Sequence, residues 1–400
     1  MKFMNHWTRL IGWLSFGLLI IASFVSVLRY VEKAPFFYLG LETFFVLLFI
    51  SYKLKRHNFL KAFFFNLAIV VLLLGLAEAY FTWLRAPIIK GEQIKIEEEY
   101  LQGGDYYVSD AVRGYAAGAN VKKRVRKSLG EKILYDVIYT NNGNGLRVAP
   151  HDLAERGEEG GKNYENAIFF GDSFTYGEGL NDHETLPYLF EEFSRGRYKV
   201  YNFGFHGYGP HQMLRIIETG LLEKIVIDQQ PMVVIYEALI EHIERVSGKM
   251  IWDARVPRYK LSPSGMAEYA GTFTDDPSLK EKLKRTKNLS NPKSQLLAKL
   301  TWTNRTQEDI KLFVQIVLQV KNLLEKRHKA RFYVVVWPLG DKDDGKVIDD
   351  LKKSGIDVIT VDQIFKEYKD PMEKYMIEVD NHPTKLANER LAQYLLEYIK

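Results

Sequence analysis

A serine follows directly after an apolar run in the middle of the chain. The run Ala167–Phe170 reads Ala-Ile-Phe-Phe, and Gly171, Asp172 and Ser173 come next. An apolar run that ends in a glycine-containing turn is typical of a buried parallel strand. In an open α/β sheet, reactive groups lie just beyond the carboxyl ends of the strands. Ser173 is therefore a candidate nucleophile, and the alternative is a serine that only caps the next helix.

The groups that would activate such a serine stand near the C-terminus. A serine hydroxyl becomes a good nucleophile when a base takes its proton, and the base needs a carboxylate to orient it. Asp380 and His382 precede the amphipathic segment Lys385–Tyr398. An Asp-x-His pair alone is more often a surface turn before a helix. Together with Ser173, the pair predicts a Ser-His-Asp triad.

These motifs resemble those of the SGNH, or GDSL, hydrolase superfamily, over about Asn163 to Lys400. The matching segments are Gly-Asp-Ser-Phe-Thr at 171–175, Tyr-Asn-Phe-Gly-Phe-His-Gly-Tyr-Gly-Pro at 201–210 and Asp-Asn-His-Pro at 380–383. The resemblance implies a flavodoxin-like three-layer α/β/α sandwich with a five-stranded parallel sheet. It also implies that the backbone N–H groups of Ser173 and Gly207 form an oxyanion hole.

One block of the superfamily, Gly-x-Asn-Asp, has no match in this chain. After the predicted strand Met232–Tyr236 the sequence reads Glu-Ala-Leu-Ile-Glu-His. In the superfamily the asparagine is a third oxyanion donor, and His242 falls near its place. A histidine can donate from a ring nitrogen, so we consider His242 as the third donor. The alternative is that His242 packs on a helix face. The acid also stands two residues before the histidine, whereas three is usual in the superfamily.

The hydrolase-like domain is predicted to span 163–400. Strands and helices alternate along it, which predicts a parallel sheet covered on both faces. Residues 245–303 interrupt the alternation, and we expect this insertion to cover the site. The predicted strands are Ala167–Phe170, Lys199–Phe203, Met232–Tyr236, Phe332–Trp337 and Asp357–Val361.

The first 85 residues are predicted to form a membrane domain of three transmembrane helices. The apolar segments are Leu10–Leu28, Pro35–Tyr52 and Ala62–Leu84. Each is long enough to cross a bilayer. The alternative for the first segment is a cleaved signal peptide, but its apolar run is longer than such peptides usually have.

The distribution of basic residues predicts the orientation of these helices. Positive residues favour the cytoplasmic side of a membrane. They are concentrated before the first span and between the second and third, at Lys2, Arg9, Lys53, Lys55, Arg56 and Lys61. Three spans then place everything after Leu84 outside. We therefore expect a bacterial inner-membrane protein whose catalytic domain faces the periplasm or exterior.

Two acidic residues interrupt the second and third spans. Glu42 and Glu78 would both lie in the outer half of the membrane, roughly 10 Å deep. Intramembrane carboxylates are costly and often functional. One hypothesis is a polar site for a lipid headgroup or a partner helix. The alternative is that the two groups share a proton or reach the interface.

A connector is predicted over 86–162. Val121–Lys127 and Ile133–Thr140 have the composition of two strands of a β-hairpin. The acidic segment Ile94–Tyr100 is expected to be helical. The basic strand could face anionic headgroups or an acidic polymer, although a solvated strand face is the simpler interpretation.

Composition excludes several functions. The formal net charge of +5 is modest for 400 residues and does not indicate nucleic-acid binding. The absence of cysteine excludes disulfides, thiol catalysis and cysteine-ligated metals. A zinc ion could in principle be bound by His206, His211, His242 and His382. The spacing of these histidines does not require a metal, however. We expect neither a metal nor a cofactor.

Together these features predict a membrane-anchored serine esterase or O-acyltransferase. Its substrates would be ester groups of an envelope polysaccharide or a lipid. Its partners would be the bilayer, the acylated substrate and a membrane acyltransferase or envelope-assembly protein. The alternative is a non-catalytic module that binds an acylated glycan or scaffolds an envelope assembly.

Overall fold

The computed structural model describes residue 20 and the ranges 35–54, 57–80, 94–153, 164–228, 230–250, 253–276, 305–365 and 374–399. The chain divides into two compact units. The first comprises 1–91 and 282–304, and the second comprises 92–281 and 305–400. Residues 92–162 of the segment predicted as a connector therefore belong to the same unit as most of the hydrolase-like domain.

The first unit contains two long apolar helices, α1 (Pro35–Lys53) and α2 (Asn58–Ala79). They pack closely, because a Cβ atom on Gly40 would lie 3.3 Å from the Cα of Gly75. By length and composition both could cross a membrane. The described residues thus contain two such helices where three spans were predicted. The remaining predicted span, Leu10–Leu28, lies outside the described residues except for residue 20.

The second unit is built from twelve described strands and a set of mostly short helices. The strands are β1 (Ile94–Gln102), β2 (Tyr107–Asp110), β3 (Gly114–Ala117), β4 (Lys122–Leu129), β5 (Lys132–Thr140), β6 (Glu165–Phe170), β7 (Tyr198–Asn202), β8 (Met232–Leu239), β9 (Pro257–Leu261), β10 (Ala267–Thr272), β11 (Arg331–Trp337) and β12 (Asp357–Thr360). The helices are α3 (Pro150–Leu153), α4 (Ser173–Tyr176), α5 (Leu186–Ser194), α6 (Pro210–Glu218), α7 (Leu221–Ile225), α8 (His242–Val246), α9 (Gln307–His328), α10 (Asp344–Lys353) and α11 (Lys385–Tyr398). Single 3₁₀ turns occupy Asp182–Glu184, Phe273–Asp275 and Val361–Gln363.

The central sheet has five parallel strands in the order β12-β11-β8-β6-β7. Numbered along the chain, this is the 2-1-3-4-5 order of flavodoxin-like folds. The order reverses between β6 and β8, and ligands of such sheets bind at the carboxyl ends of the strands at that reversal. Ser173 follows β6 directly, so the fold places it at this switch point.

The core lies on both faces of the central sheet. Along β6, Ile168 and Phe170 pack in one hydrophobic cluster, whereas Ala167 and Phe169 pack in another. The first cluster is covered by α6 and α9, and the second by α5 and α11. Because side chains alternate along a strand, these uninterrupted apolar runs bury both faces. The predicted three-layer α/β/α sandwich with a five-stranded parallel sheet is confirmed.

A separate antiparallel sheet, which we call the N-terminal sheet, has the order β1-β4-β5. Strands β4 and β5 lie where a hairpin was predicted. Strand β1 corrects the expectation of a helix at Ile94–Tyr100. Its acidic residues stand opposite basic residues of β4, with Glu97 facing Arg126 and Glu99 facing Arg124. Opposite charges across an antiparallel pair favour a strand.

Candidate active site

The candidate nucleophile sits in a tight strand–turn–helix connection. The Asp172 carboxylate caps α4 by accepting a hydrogen bond from the N–H of Phe174, at 2.9 Å. A Cβ on Gly171 would come within 2.0 Å of Thr175 Oγ1, so only glycine fits there. The short helix ends at Tyr176, and Gly177 follows it with φ 88°. Ser173 is thereby held at the first position of a helix, with its hydroxyl at the rim of the sheet.

The structure brings the three predicted triad residues together. His382 Nε2 lies 2.8 Å from Ser173 Oγ. His382 Nδ1 lies 2.5 Å from Asp380 Oδ1, and the Asp380 side chain is 0% exposed. With Nδ1–H donating to the carboxylate, Nε2 is the nitrogen that can accept the serine proton. This is the geometry that serine activation requires.

Local backbone geometry explains how an acid two residues from the histidine can reach it. Val379 and Asn381, on either side of Asp380, have φ values of 65° and 61°. Positive φ is rare for residues other than glycine, above all for a β-branched one. The turn is closed by a 2.8 Å hydrogen bond from the N–H of Ile377 to the carbonyl of His382. The strained turn directs Asp380 and His382 to the same side.

A lysine of the N-terminal sheet completes the surroundings of the triad acid. The ammonium of Lys127, on β4, contacts Asp380 Oδ2, while His382 holds Oδ1. The sequence does not predict this role, because its basic strand is expected to face solvent, anionic headgroups or an acidic polymer. The signal was the alternation along β4, which puts Lys123, Val125 and Lys127 on one face. Lys123 and Val125 line the cavity next to the triad.

The charges around the histidine favour its protonated form. Burial lowers the pKa of His382, but the hydrogen bond to Asp380 and the negative charges of Glu178 and Asp380 outweigh it, so the pKa is raised. Burial would raise the pKa of Asp380, and contacts with His382 and Lys127 reverse this and lower it. The triad acid is therefore ionised, and the base binds a proton readily.

A second polar chain reaches the same histidine. Glu178 Oε2 lies 3.5 Å from His382 Nε2 and 2.7 Å from His206 Nδ1. The hydroxyl of Tyr106 lies 2.7 Å from His206 Nε2. Burial raises the pKa of Glu178, but the charges of His206 and His382 and a hydrogen bond to His206 lower it to about 2. A permanent negative charge thus stands beside the base, which sequence reasoning did not predict.

The two predicted backbone donors lie at the same cavity. Ser173 and Gly207 both line it, and Gly207 has φ 73°. Among the described residues, no acceptor is hydrogen-bonded to either N–H. The loop carrying Gly207 is held from one side by the Tyr115 hydroxyl, which donates to the His206 carbonyl at 2.6 Å. Both N–H groups are thus available to a substrate oxygen.

His242 is not a third donor, which corrects the prediction made for it. Its side chain is 0% exposed and does not line the cavity. Nδ1 lies 2.5 Å from the Tyr236 hydroxyl, and Nε2 lies 3.3 Å from Asp172 Oδ2. The physical reason is that β8 continues to Leu239, beyond the predicted end at Tyr236. The following turn therefore sends His242 beneath the nucleophile loop.

The cavity beside Ser173 has a volume of about 580 Å³. Much of its wall is the N-terminal sheet and the tyrosines near it. The expected cover, the insertion 245–303, contributes the described lining residues Arg245, Asp253 and Arg255, and its residues 251–252 and 277–303 lie outside the described part of the chain. Lining residues include Ile96, Glu98, Tyr106, Tyr107, Tyr115, Lys123, Tyr135 and Tyr139. A wall of aromatic rings with mixed charges suits a substrate with both apolar and polar faces.

A metal is not needed to explain the described cluster. Ligand atoms of Glu178, Asp380 and His382 lie within 4.8 Å of one another. Both ring nitrogens of His382 already contact Asp380 and Ser173, so the set forms a triad with a flanking carboxylate. The four histidines considered for zinc do not converge in the described structure. His206 and His382 line the cavity, whereas His211 and His242 are buried.

The chain has only low similarity to known proteins. No protein-family model and no curated protein matches the sequence. Among solved structures, a lipolytic protein of the G-D-S-L family from Veillonella parvula shares 13% identity, covering 58% of this chain and 97% of its own, with a TM-score of 0.33. The acetyl xylan esterase Est2A from Butyrivibrio proteoclasticus shares 11% identity, covering 71% of each chain, with a TM-score of 0.35. The SGNH-hydrolase family esterase AlinE4 shares 16% identity, covering 61% of this chain and 97% of its own, with a TM-score of 0.29.

The central sheet has the strand order that the sequence motifs led us to expect, the 2-1-3-4-5 order of a flavodoxin-like fold. The resemblance to the SGNH hydrolases rests on the sequence motifs and is compatible with this topology. The strand order and the placement of Ser173 at the switch point are the structural observations that agree with it. At these identities and TM-scores, the likeness to solved structures carries no argument about this chain. What the site does is inferred from its own geometry.

Proposed function

We propose that this chain is a membrane-anchored serine esterase or O-acyltransferase that works through an acyl-Ser173 intermediate. One observation carries the proposal. His382 Nε2 stands 2.8 Å from Ser173 Oγ, while Nδ1 is held by a fully buried Asp380. A hydroxyl, an imidazole and a carboxylate in this order can activate the serine.

The proposed reaction begins with attack of Ser173 Oγ on an ester carbonyl carbon. The serine proton passes to His382 Nε2, and Asp380 stabilises the resulting imidazolium. The N–H groups of Ser173 and Gly207 receive the negative oxygen of the tetrahedral intermediate. Its collapse breaks the ester C–O bond and returns the proton to the leaving alcohol. Acyl-Ser173 remains.

The second half-reaction decides between the two activities. Water, or a hydroxyl of an acceptor, gives its proton to His382 and attacks the acyl-enzyme. The product is a free acid in the first case and a new ester in the second, and Ser173 regains its proton. The same residues serve both reactions, so the acceptor determines the outcome.

The substrate we propose is an ester group on an envelope polysaccharide or on a lipid. The cavity of about 580 Å³ is large enough for a sugar or a short acyl chain, and its tyrosines offer stacking surfaces. The two apolar helices α1 and α2 support attachment to a membrane. We propose the bacterial inner membrane, with the site outside the cytoplasm. A membrane acyltransferase or envelope-assembly protein would be its partner.

The test is covalent labelling with a fluorophosphonate probe, which reacts with activated serines. The full-length protein in detergent should be labelled, and Ser173→Ala should not. Ser354→Ala, a change remote from the cavity, is the matched control and should be labelled like wild type. No labelling of the wild-type protein would contradict the proposed enzyme and favour the non-catalytic alternative.

A further inference from the structure

Arg245 joins the two backbone segments that carry the oxyanion donors. It lies on α8, which follows the central strand β8, and its side chain lines the cavity. Its Nη1 donates to Asp172 Oδ2 at 2.7 Å and to the carbonyl oxygen of Tyr208 at 2.5 Å. Asp172 directly precedes Ser173, and Tyr208 directly follows Gly207. One nitrogen atom therefore bridges the neighbours of both donors.

The bridge is buried, and the positive charge of Arg245 is paired with the negative charge of Asp172. Arg245 is 7% exposed and Asp172 is 1% exposed. Burial would raise the pKa of Asp172, but the charge of Arg245 and the contact with His242 hold it well below the usual range. A charge-assisted hydrogen bond in such surroundings is stronger and more rigid than one in water. Both oxygens of the Asp172 carboxylate are thus held, Oδ2 by Arg245 and Oδ1 by the N–H of Phe174.

This rigidity bears directly on catalysis. Oxyanion stabilisation depends on donors that are oriented before the charge develops, because reorientation during the reaction costs energy. Ser173 and Gly207 come from loops after different strands, β6 and β7, so the backbone alone does not fix the distance between their N–H groups. Arg245 links the two loops through Asp172 and Tyr208, in addition to the hydrogen bond from Asn202 Nδ2 to the Thr175 carbonyl. Its positive charge also lies at the wall of the same cavity.

We infer that Arg245 is a positioning residue that sets the spacing of the two oxyanion N–H donors. The inference rests on the proposed esterase or acyltransferase function. A lysine ammonium could also donate to both acceptors, but it stands on a flexible stem and lacks the planar guanidinium, so it should hold them less rigidly. Loss of the bridge should therefore lower kcat, which reports the chemical step, and leave KM nearly unchanged.

The experiment compares Arg245→Met and Arg245→Lys with Arg305→Met in the full-length protein. Arg305 is the matched control, because it is also buried and paired with carboxylates, those of Glu244, Asp341 and Asp343. Arg245→Met should lower kcat on a soluble ester roughly 10²-fold with KM little changed, as removal of an oxyanion contribution does. Arg245→Lys should recover part of the loss. Arg305→Met should lower the melting temperature. At temperatures below its melting transition, its kcat should equal that of wild type.

A second measurement does not depend on turnover. Amide hydrogen exchange should become faster in segments 170–178 and 203–210 of Arg245→Lys, and in neither segment of Arg305→Met. Unchanged exchange in both segments would overturn the inference, whether or not the protein is active. Wild-type kcat in a folded Arg245→Lys variant together with unchanged labelling by the fluorophosphonate probe would also overturn it, and would leave the proposed function standing. If Arg245→Met does not fold, the kcat and the hydrogen exchange of Arg245→Lys test the inference.

Discussion

The ammonium of Lys127 and the carboxylate of Asp380 are in direct contact, although one belongs to the N-terminal sheet and the other to the turn before the last helix. His382 holds one carboxylate oxygen and Lys127 holds the other. Both oxygens of a fully buried carboxylate are thus satisfied, which is what a buried charge requires. The N-terminal sheet therefore contributes a residue to the surroundings of the proposed triad.

Lys127→Met should reduce turnover on a soluble ester roughly tenfold, since a loss of about 1.4 kcal/mol in positioning corresponds to that factor. The variant leaves one oxygen of Asp380 without a partner, at a cost to folding of about 1–3 kcal/mol. Arg126→Met, on the opposite face of the same strand, is the control and should change neither quantity much. Equal turnover for the two variants would show that the contact does not support the triad.

The triad residues should act as one unit. Ser173→Ala and His382→Ala should each reduce turnover by roughly 10⁴ or more, and the double variant should lose little beyond that, because each change disables the same step. Asp380→Asn should cost a similar amount or less. Steady-state rates on one soluble ester, corrected for the buffer rate, give the comparison. Additive losses would mean that Ser173 and His382 act in separate steps.

The fall of kcat/KM at low pH, which is the acidic limb of the pH–rate profile, should depend on Glu178. His382 works as a base in its neutral form, so activity rises as pH passes its pKa. Since the charge of Glu178 helps to raise this pKa, Glu178→Gln should move the acidic limb of kcat/KM to lower pH. Glu98→Gln is the control, because Glu98 lines the same cavity but pairs with Lys123. An unmoved limb in Glu178→Gln would rule out this electrostatic role.

Glu178 should also contribute to the pH dependence of folding. Its pKa is lowered to about 2, mainly by His206 and His382 acting against burial. A carboxylate whose pKa is lower in the folded state stabilises that state above its unfolded pKa, and the contribution disappears as pH falls towards the folded value. Acid unfolding of Glu178→Gln should therefore show a weaker loss of stability between about pH 4.5 and pH 2 than wild type.

Arg147 should be one of the most sensitive positions for stability. Its guanidinium is fully buried and donates to Asp182 Oδ1 at 2.7 Å and to the Leu180 carbonyl at 2.8 Å. It also reaches the carbonyls of Ile138, Tyr176 and Gly177. Arg147→Met should lower the free energy of unfolding by about 3–5 kcal/mol, the usual cost of breaking a buried ion pair.

The control for Arg147 is Arg124→Met, which removes an arginine paired with Asp136 on the exposed face of the N-terminal sheet. Exposed pairs contribute only about 0–1 kcal/mol. Denaturant unfolding of the two variants measures the difference. A similar small effect for both would show that the five contacts of Arg147 are energetically replaceable.

Sequence patterns predicted the central sheet and the triad for identifiable reasons. Strands buried on both faces are continuous apolar runs, so β6 and β11 were visible without any tertiary information. Ser173 and His382 stand in short motifs that describe local turns. The structure confirms the predicted sheet, and it brings the predicted triad side chains into contact.

What the sequence did not reveal depends on contacts between distant segments. Lys127 is one of several basic residues on its strand, and only the register against Asp380 distinguishes it. Arg245 is similar, because its partners Asp172 and Tyr208 come from other loops. His242 was misplaced because burial of β8 to Leu239 extended the strand by a length that an apolar pattern does not define.

The N-terminal sheet forms one wall of the cavity, and this affects when the site can form during synthesis of the chain. Lys127 and Asp380 are 253 residues apart in the sequence. During synthesis, domains form from the N-terminus onwards, so the sheet emerges long before the turn that carries the base. The proposed triad can form only after residues 380–382 have left the ribosome. An unfinished chain therefore carries the nucleophile without the means to activate it, and a fragment beginning at residue 163 would carry all three triad residues with one side of their pocket missing.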